Sequence, residues 1–221
     1  MDIDGLYWDT EEDKKIAEEH AKQLASREKS LTKQETKLNN QIAKINSNTK
    51  LSDSEKQKRV GELNSELSNV QAMKSDVQAA QTELTAMSDA TEMAFTFNTV
   101  SGNIAEIEHG KNKQGHTLIT INNLGDFGNR SHELKHGYQV LTGQMTPSSK
   151  SSKDFIWSKN SHPHITEAEA HQRQYAVGAS LPLSEAGPIK SFSQINRGWV
   201  AVIYYYDANG RKVYPYLSRN Y

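Results

Sequence analysis

The chain has 221 residues, enough for one compact domain with an accessory element or for two small domains. A formal net charge of −1 gives no global field that would favour nucleic acid or an anionic membrane. The absence of cysteine excludes disulfides, thiolate metal sites and a cysteine nucleophile, so any transition-metal site must use His, Asp and Glu.

No run of about 18 apolar residues occurs, so no transmembrane helix and no stable membrane insertion are expected. The start, Met-Asp-Ile-Asp-Gly-Leu-Tyr-Trp, lacks the basic residues and the apolar stretch of a signal peptide. The expectation is either a protein that stays in the cytoplasm or a piece of a longer exported chain. A hydrophobic share of 35% is low for a purely globular protein and points to a long solvated helical part.

That part is the first half. Ile16, Leu24, Leu31, Leu38 and Ile45 mark one stripe, and the last four stand seven apart, the spacing of a coiled-coil seam. Asn46 to Thr49 break the pattern. Ser52 and Glu55 then read as a reciprocal helix cap. Val60, Leu63, Leu67, Val70, Val77 and Leu84 form a second stripe, with Met73, Ala80 and Met87 alongside. Residues 10–94 are therefore expected to fold as an antiparallel helical hairpin, a stalk or partner-binding arm. The division is 1–94 for the hairpin and 95–221 for a second domain.

The second half changes character. Residues 116–121 are β-branched and read as a strand, followed by a turn at Gly125, Gly128 and Asn129. A helix is expected from about Ser131 to Thr142, stopped by Gly143. A polar loop covers 144–164. A second helix runs from about Thr166, as its cap, to Val177. A β-hairpin is expected from Trp199 to Tyr206 and from Lys212 to Leu217, around the turn at 207–210. The fold class is α+β, with a small antiparallel sheet beside the helix at 131–142.

The chemistry lies on that helix. His132 and His136 stand four apart, which puts both imidazoles on one face within reach of a single ion. Glu133 lies beside the ion's open position, where it can take a proton from water. This is the His-Glu-x-x-His arrangement. Catalytic zinc commonly takes three protein ligands and a water, so a third ligand must come from elsewhere. A metzincin-type site would carry Gly at 139 and His at 142; here they are Gln139 and Thr142. The run from Thr166 to Gln174 offers a Glu on a second helix, as in gluzincins. Glu169 is the first choice, flanked by Ala168 and Ala170, with Glu167 and His171 as alternatives. His162 and His164 read mainly as loop histidines. Tyr204, Tyr205 and Tyr206 read mainly as strand packing, although a phenol could serve an oxyanion. His20, His109 and His116 have no partner at ligand spacing.

The run from His132 through Gln139, followed after a loop by Glu169-Ala-His-Gln-Arg-Gln-Tyr, resembles the zincin-like metallopeptidase domains at the C-termini of bacterial polymorphic toxins and secreted effectors, Rhs-repeat proteins among them. The likeness covers about residues 95–180. The stretch from Asp2 to Trp8 is similar to the junction at which an Rhs-type shell ends and its toxin begins. The resemblance implies a Zn2+-dependent endopeptidase held by His132, His136 and Glu169, with Glu133 as general base. It also implies delivery into a target cell as part of a larger exported protein, a protein or peptide substrate and a cognate immunity protein. Two other readings stand beside it: a non-catalytic binding module on a degenerate zincin domain, and a mobile-element peptidase that is not a toxin.

Overall fold

The computed structural model describes residues 8–101, 105–207 and 209–216. The stretch from Asp2 to Tyr7, most of the junction-like segment, lies outside them, as does Leu217. The fold is α+β: two long antiparallel helices, then small sheets and shorter helices. Helix α1 spans Glu11–Asn46 and α2 spans Asp53–Ser88. Thr10 caps α1 by accepting from the Asp13 amide, and three acidic residues in the first turn suit that end of the helix dipole. Ser52 and Glu55 close the expected capping box on α2. Leu24, Leu31 and Leu38 of α1 share an apolar cluster with Val70, Val77, Leu84 and Met87 of α2. The outer members of the stripe, Ile16 and Ile45, are only half-buried.

The same cluster continues past residue 94 into Phe95, Ile107, Ile119, Ile121, Leu134 and Val140. The base of the hairpin and the following domain therefore share one core. Strands β1 (Met93–Thr99), β2 (Glu106–Lys111) and β3 (Thr117–Asn123) form a sheet in the order β1-β3-β2. Strand β2 is antiparallel to β3, but β1 is parallel to it, so the sheet is mixed rather than antiparallel. The reason is positional: β1 leaves the end of α2 and lies on the far side of β3 from β2. Buried Asp13 anchors α1 to β1, accepting from the Phe97 amide at 2.6 Å and from the Thr96 hydroxyl at 3.1 Å. Trp8 stacks on Phe97 and donates to the Ser88 hydroxyl, joining the starts of α1 and β1 to the end of α2.

Helix α3 (Phe127–Leu141) packs on this sheet and begins earlier than the sequence pattern suggests. Asp126 is its cap, accepting from the Asn129 amide, so Gly128 and Asn129 belong to its first turn. Gly143, at φ +72°, closes it as expected. Gly137 marks a close approach: a Cβ there would lie 3.0 Å from Met87 Cε and 3.5 Å from Ile121 Cδ1. The stretch expected as a polar loop contains a small hairpin, β4 (Met145–Pro147) with β5 (Phe155–Trp157).

Helix α4 (Pro163–Ala176) also begins early, because Pro163 occupies its first turn and His162 is the cap. Thr166 sits inside it, donating its hydroxyl to the Pro163 carbonyl. Strand β6 (Leu183–Ser184) leads to α5 (Arg197–Ala201), β7 (Ile203–Tyr206) and β8 (Lys212–Val213). Trp199 is thus helical rather than extended, since Asn196 accepts from the Gly198 and Trp199 amides and starts a helical turn. No described helix is long and apolar enough to cross a membrane.

A buried charge network fastens the hairpin to α3 and α4. Arg173, 3% exposed, donates to Asp76 at 2.8 Å and to Glu83 at 2.9 Å, both on α2. Glu83 also accepts from Lys135 of α3 at 2.8 Å. Removing one member of such a buried cluster strands the others' charges. Arg173→Met is expected to lower the unfolding free energy by about 3–5 kcal/mol in chemical denaturation; a loss below about 1 kcal/mol would show the network to be dispensable. His20 supplies a pH signature. Burial, then Arg130 and Arg173, lower its pKa to about 3. The unfolded chain takes up a proton below about pH 6.5, whereas the folded chain does not until about pH 3. This contribution to stability is complete above pH 6.5 and falls on acidification by up to about 1.4 kcal/mol per pH unit. Denaturation at a series of pH values should show a flatter profile for His20→Phe than for the unaltered chain.

Candidate metal centre

Helix α3 presents His132, Glu133 and His136 toward α4. The Nε2 atoms of His132 and His136 lie 3.2 Å apart. Glu167 of α4 brings Oε2 to 3.5 Å from each of them. Both histidines are buried, and the side chain of Glu167 keeps 19% of its exposure. These three residues form the group, among the described residues, that can hold a metal ion.

The electrostatics of the group favour a positive charge at its centre. Burial works against the Glu167 carboxylate, but His136 and then His132 outweigh it and hold the carboxyl well below its ordinary range. Burial likewise opposes a charge on His136, yet the Glu167 carboxylate raises its pKa to about 9. Glu133 is 3% exposed, with Oε1 4.0 Å from His132 Nε2 and Oε2 buried without a hydrogen-bond partner. Burial pushes its carboxyl up, against the pull of both histidines. Its carboxyl therefore holds a proton more readily than that of an exposed glutamate.

Glu169, the expected third ligand, lies outside this group. Its Oε2 accepts from Gln139 Nε2 at 3.0 Å and stands 3.7 Å from Lys135 Nζ. The reason is helical phase. Two residues along a helix turn the side chain about 200° around the axis, so Glu167 and Glu169 cannot face the same point. Gln139 accounts for the use of Glu169. It is fully buried, and its Nε2 donates both to Glu169 and to the Thr166 carbonyl at 3.1 Å. Its carbonyl oxygen is thereby aimed at His136 Nδ1, 2.8 Å away. An amide oxygen only accepts, so His136 Nδ1 stays the donor, and the proton that a metal would displace is the one on Nε2, facing the centre. Lys135 reaches away from the centre, toward Glu83.

One contributor carries no sequence signal. Tyr216, from the segment after β8, donates its hydroxyl to Glu167 Oε2 at 3.0 Å. The tyrosines at 204–206 instead form an outer cluster: Tyr204 packs edge-on against Tyr206 and lies beneath Lys212, while Tyr205 and Tyr206 are exposed. His164 makes its contact with the Tyr216 carbonyl, and His162 caps α4. His171, an alternative ligand, packs against the His132 ring at 4.4 Å between centroids, and burial lowers its pKa to about 3. For Glu167 a signal was present: it is four residues before His171, so the two share one face of the helix.

Comparison of the chain with protein-family models, with curated proteins and with solved structures finds no match. The two glutamates separate experimentally. Glu167→Ala is expected to lose stoichiometric metal after dialysis, whereas Glu169→Ala should keep one ion per chain, bound more weakly by about tenfold or somewhat more. Elemental analysis and chelator competition would read both, and the opposite ranking would restore Glu169 as the ligand.

Proposed function

We propose that this chain is a zinc-dependent endopeptidase in which His132, His136 and Glu167 hold the metal and Glu133 is the general base. One observation carries the reading. Zinc bound tetrahedrally at about 2.0–2.1 Å sets neighbouring donors about 3.3–3.4 Å apart. The three donors here are separated by 3.2, 3.5 and 3.5 Å. Two imidazoles and one carboxylate suit zinc better than magnesium or calcium, which favour all-oxygen sites. Two histidines and a distant glutamate also form the donor set of hydrolytic zinc sites with one open position, and the glutamate next to the first histidine stands beside it as the base.

A divalent metal bound there supplies a Lewis acid that polarises a peptide carbonyl and lowers the pKa of water toward neutrality. The protein's own groups handle the protons. Glu133 takes a proton from the attacking water and returns it to the leaving amine. Its burial supports this role by raising its affinity for the proton it must carry. Gln139 keeps His136 in one tautomer, and the Tyr216 hydroxyl restrains the Glu167 carboxylate. Delivery into a target cell as a toxin, with an immunity protein as its natural inhibitor, is the biological setting that the sequence resemblance favours.

Glu133→Gln is the decisive variant. It should bind metal as the unaltered chain does and cleave a mixed peptide library about 10²–10⁴-fold more slowly. Unchanged cleavage would remove Glu133 from the mechanism. A purified chain that takes up no zinc would overturn the metallopeptidase reading. If the chain acts as a toxin, growth arrest on intracellular expression should disappear with the same substitution.

A further inference from the structure

The two histidines at the metal centre are not equally supported. His136 has its Nδ1 held by Gln139. His132 Nδ1 is buried and has no hydrogen-bond partner. If His132 binds metal through Nε2, as its position in the donor triangle requires, Nδ1 must carry the proton. An unmatched buried donor is costly, and metal-bound histidines nearly always pass this proton to an acceptor.

The neighbouring ring has the complementary defect. His171 lies on α4 four residues after Glu167, 6% exposed, with its ring centroid 4.4 Å from that of His132. Its Nδ1 is 3.0 Å from Gln174 Oε1. The orientation of that amide is set by its other end, since Gln174 Nε2 donates to the Ser180 carbonyl at 2.6 Å. An amide oxygen can only accept, so Nδ1 of His171 is protonated and its Nε2 is a bare lone pair. That Nε2 is also buried without a partner. The two unpaired nitrogens do not bond to each other as the rings stand, tilted by 57° with Trp199 edge-on to His171 at 5.5 Å, so their pairing requires the rings to turn.

We infer that His171 is the positioning residue for His132: in the metal-loaded protein His132 Nδ1–H donates to His171 Nε2. The inference rests on the metal site proposed above. It makes Glu167 and His171 a functional pair on one face of α4, the first holding the metal and the second orienting an imidazole that holds it. It also gives each histidine ligand a neutral partner, Gln139 for His136 and His171 for His132. The donated electron density is then less than a carboxylate partner would provide.

The test uses the full chain and zinc ion, with a fluorescent chelator as competitor. His171→Phe keeps the ring volume and removes the acceptor, and zinc affinity should fall about 10–100-fold. His171→Gln, whose amide oxygen can accept, should recover most of that loss. Equal affinity in the unaltered and Phe chains would overturn the inference, and equal weakening in both variants would assign the effect to packing and overturn it as well. Should the variants fail to fold, nitrogen-15 NMR of the unaltered chain gives an independent reading. Zinc loading should bring out a slowly exchanging His132 Nδ1 proton, with the His171 Nε2 resonance shifted as a hydrogen-bond acceptor; absence of both would refute the pairing. Failure of the unaltered chain to bind zinc would instead refute the metal site itself.

Discussion

The amide of Gln139 is the point on which the site depends. It is fully buried between α3 and α4, and its two ends cannot exchange roles. The nitrogen needs acceptors and finds the Thr166 carbonyl and Glu169; the oxygen needs a donor and finds His136. A buried amide left unsatisfied would cost about 1–3 kcal/mol, so the three contacts are mutually enforcing. They set the relative register of the two helices, and that register brings Glu167 to the two histidines. Glu169 is an anchor of the scaffold as a result, and its charge is shared with Lys135.

The same logic extends outward to the hairpin. Lys135 and Arg173 meet on Glu83, and Arg173 continues to Asp76. Arg27 adds a tie by donating to the Ala176 carbonyl, at the C-terminal end of α4 where a cation is favoured. The base of the hairpin is therefore part of the wall behind His132, His136 and Glu167, the group that could hold a metal ion. Such buried charge contacts are weak as a source of net stability but strong as a constraint, because only one arrangement satisfies every partner.

The tip of the hairpin follows a different rule. Beyond Leu38 of α1 and before Val70 of α2 no described side chain is fully buried. That portion is held by its caps, its polar turn and half-buried leucines such as Leu63 and Leu67. The molecule thus combines an outer arm with little core and an inner segment built into the centre.

Periodicity and local chemistry made a large share of this legible from sequence. Two heptad stripes define paired helices because a seam repeating every seven residues can be buried only against another such seam. The Ser52–Glu55 cap, the β3 strand, Gly143 as a helix stop and the pairing of His132 with His136 all follow from interactions within a few residues. Tertiary structure alone decided the rest. The parallel placement of β1, the choice of Glu167 over Glu169, the arrival of Tyr216 and the fusion of the hairpin base with the domain core all join residues distant in sequence. The phase of α4 relative to α3 depends on how a buried amide and a buried guanidinium find partners, and no spacing along the chain encodes that. The sequence by itself determined that two histidines share a face; the packing of a second helix determined which carboxylate they meet.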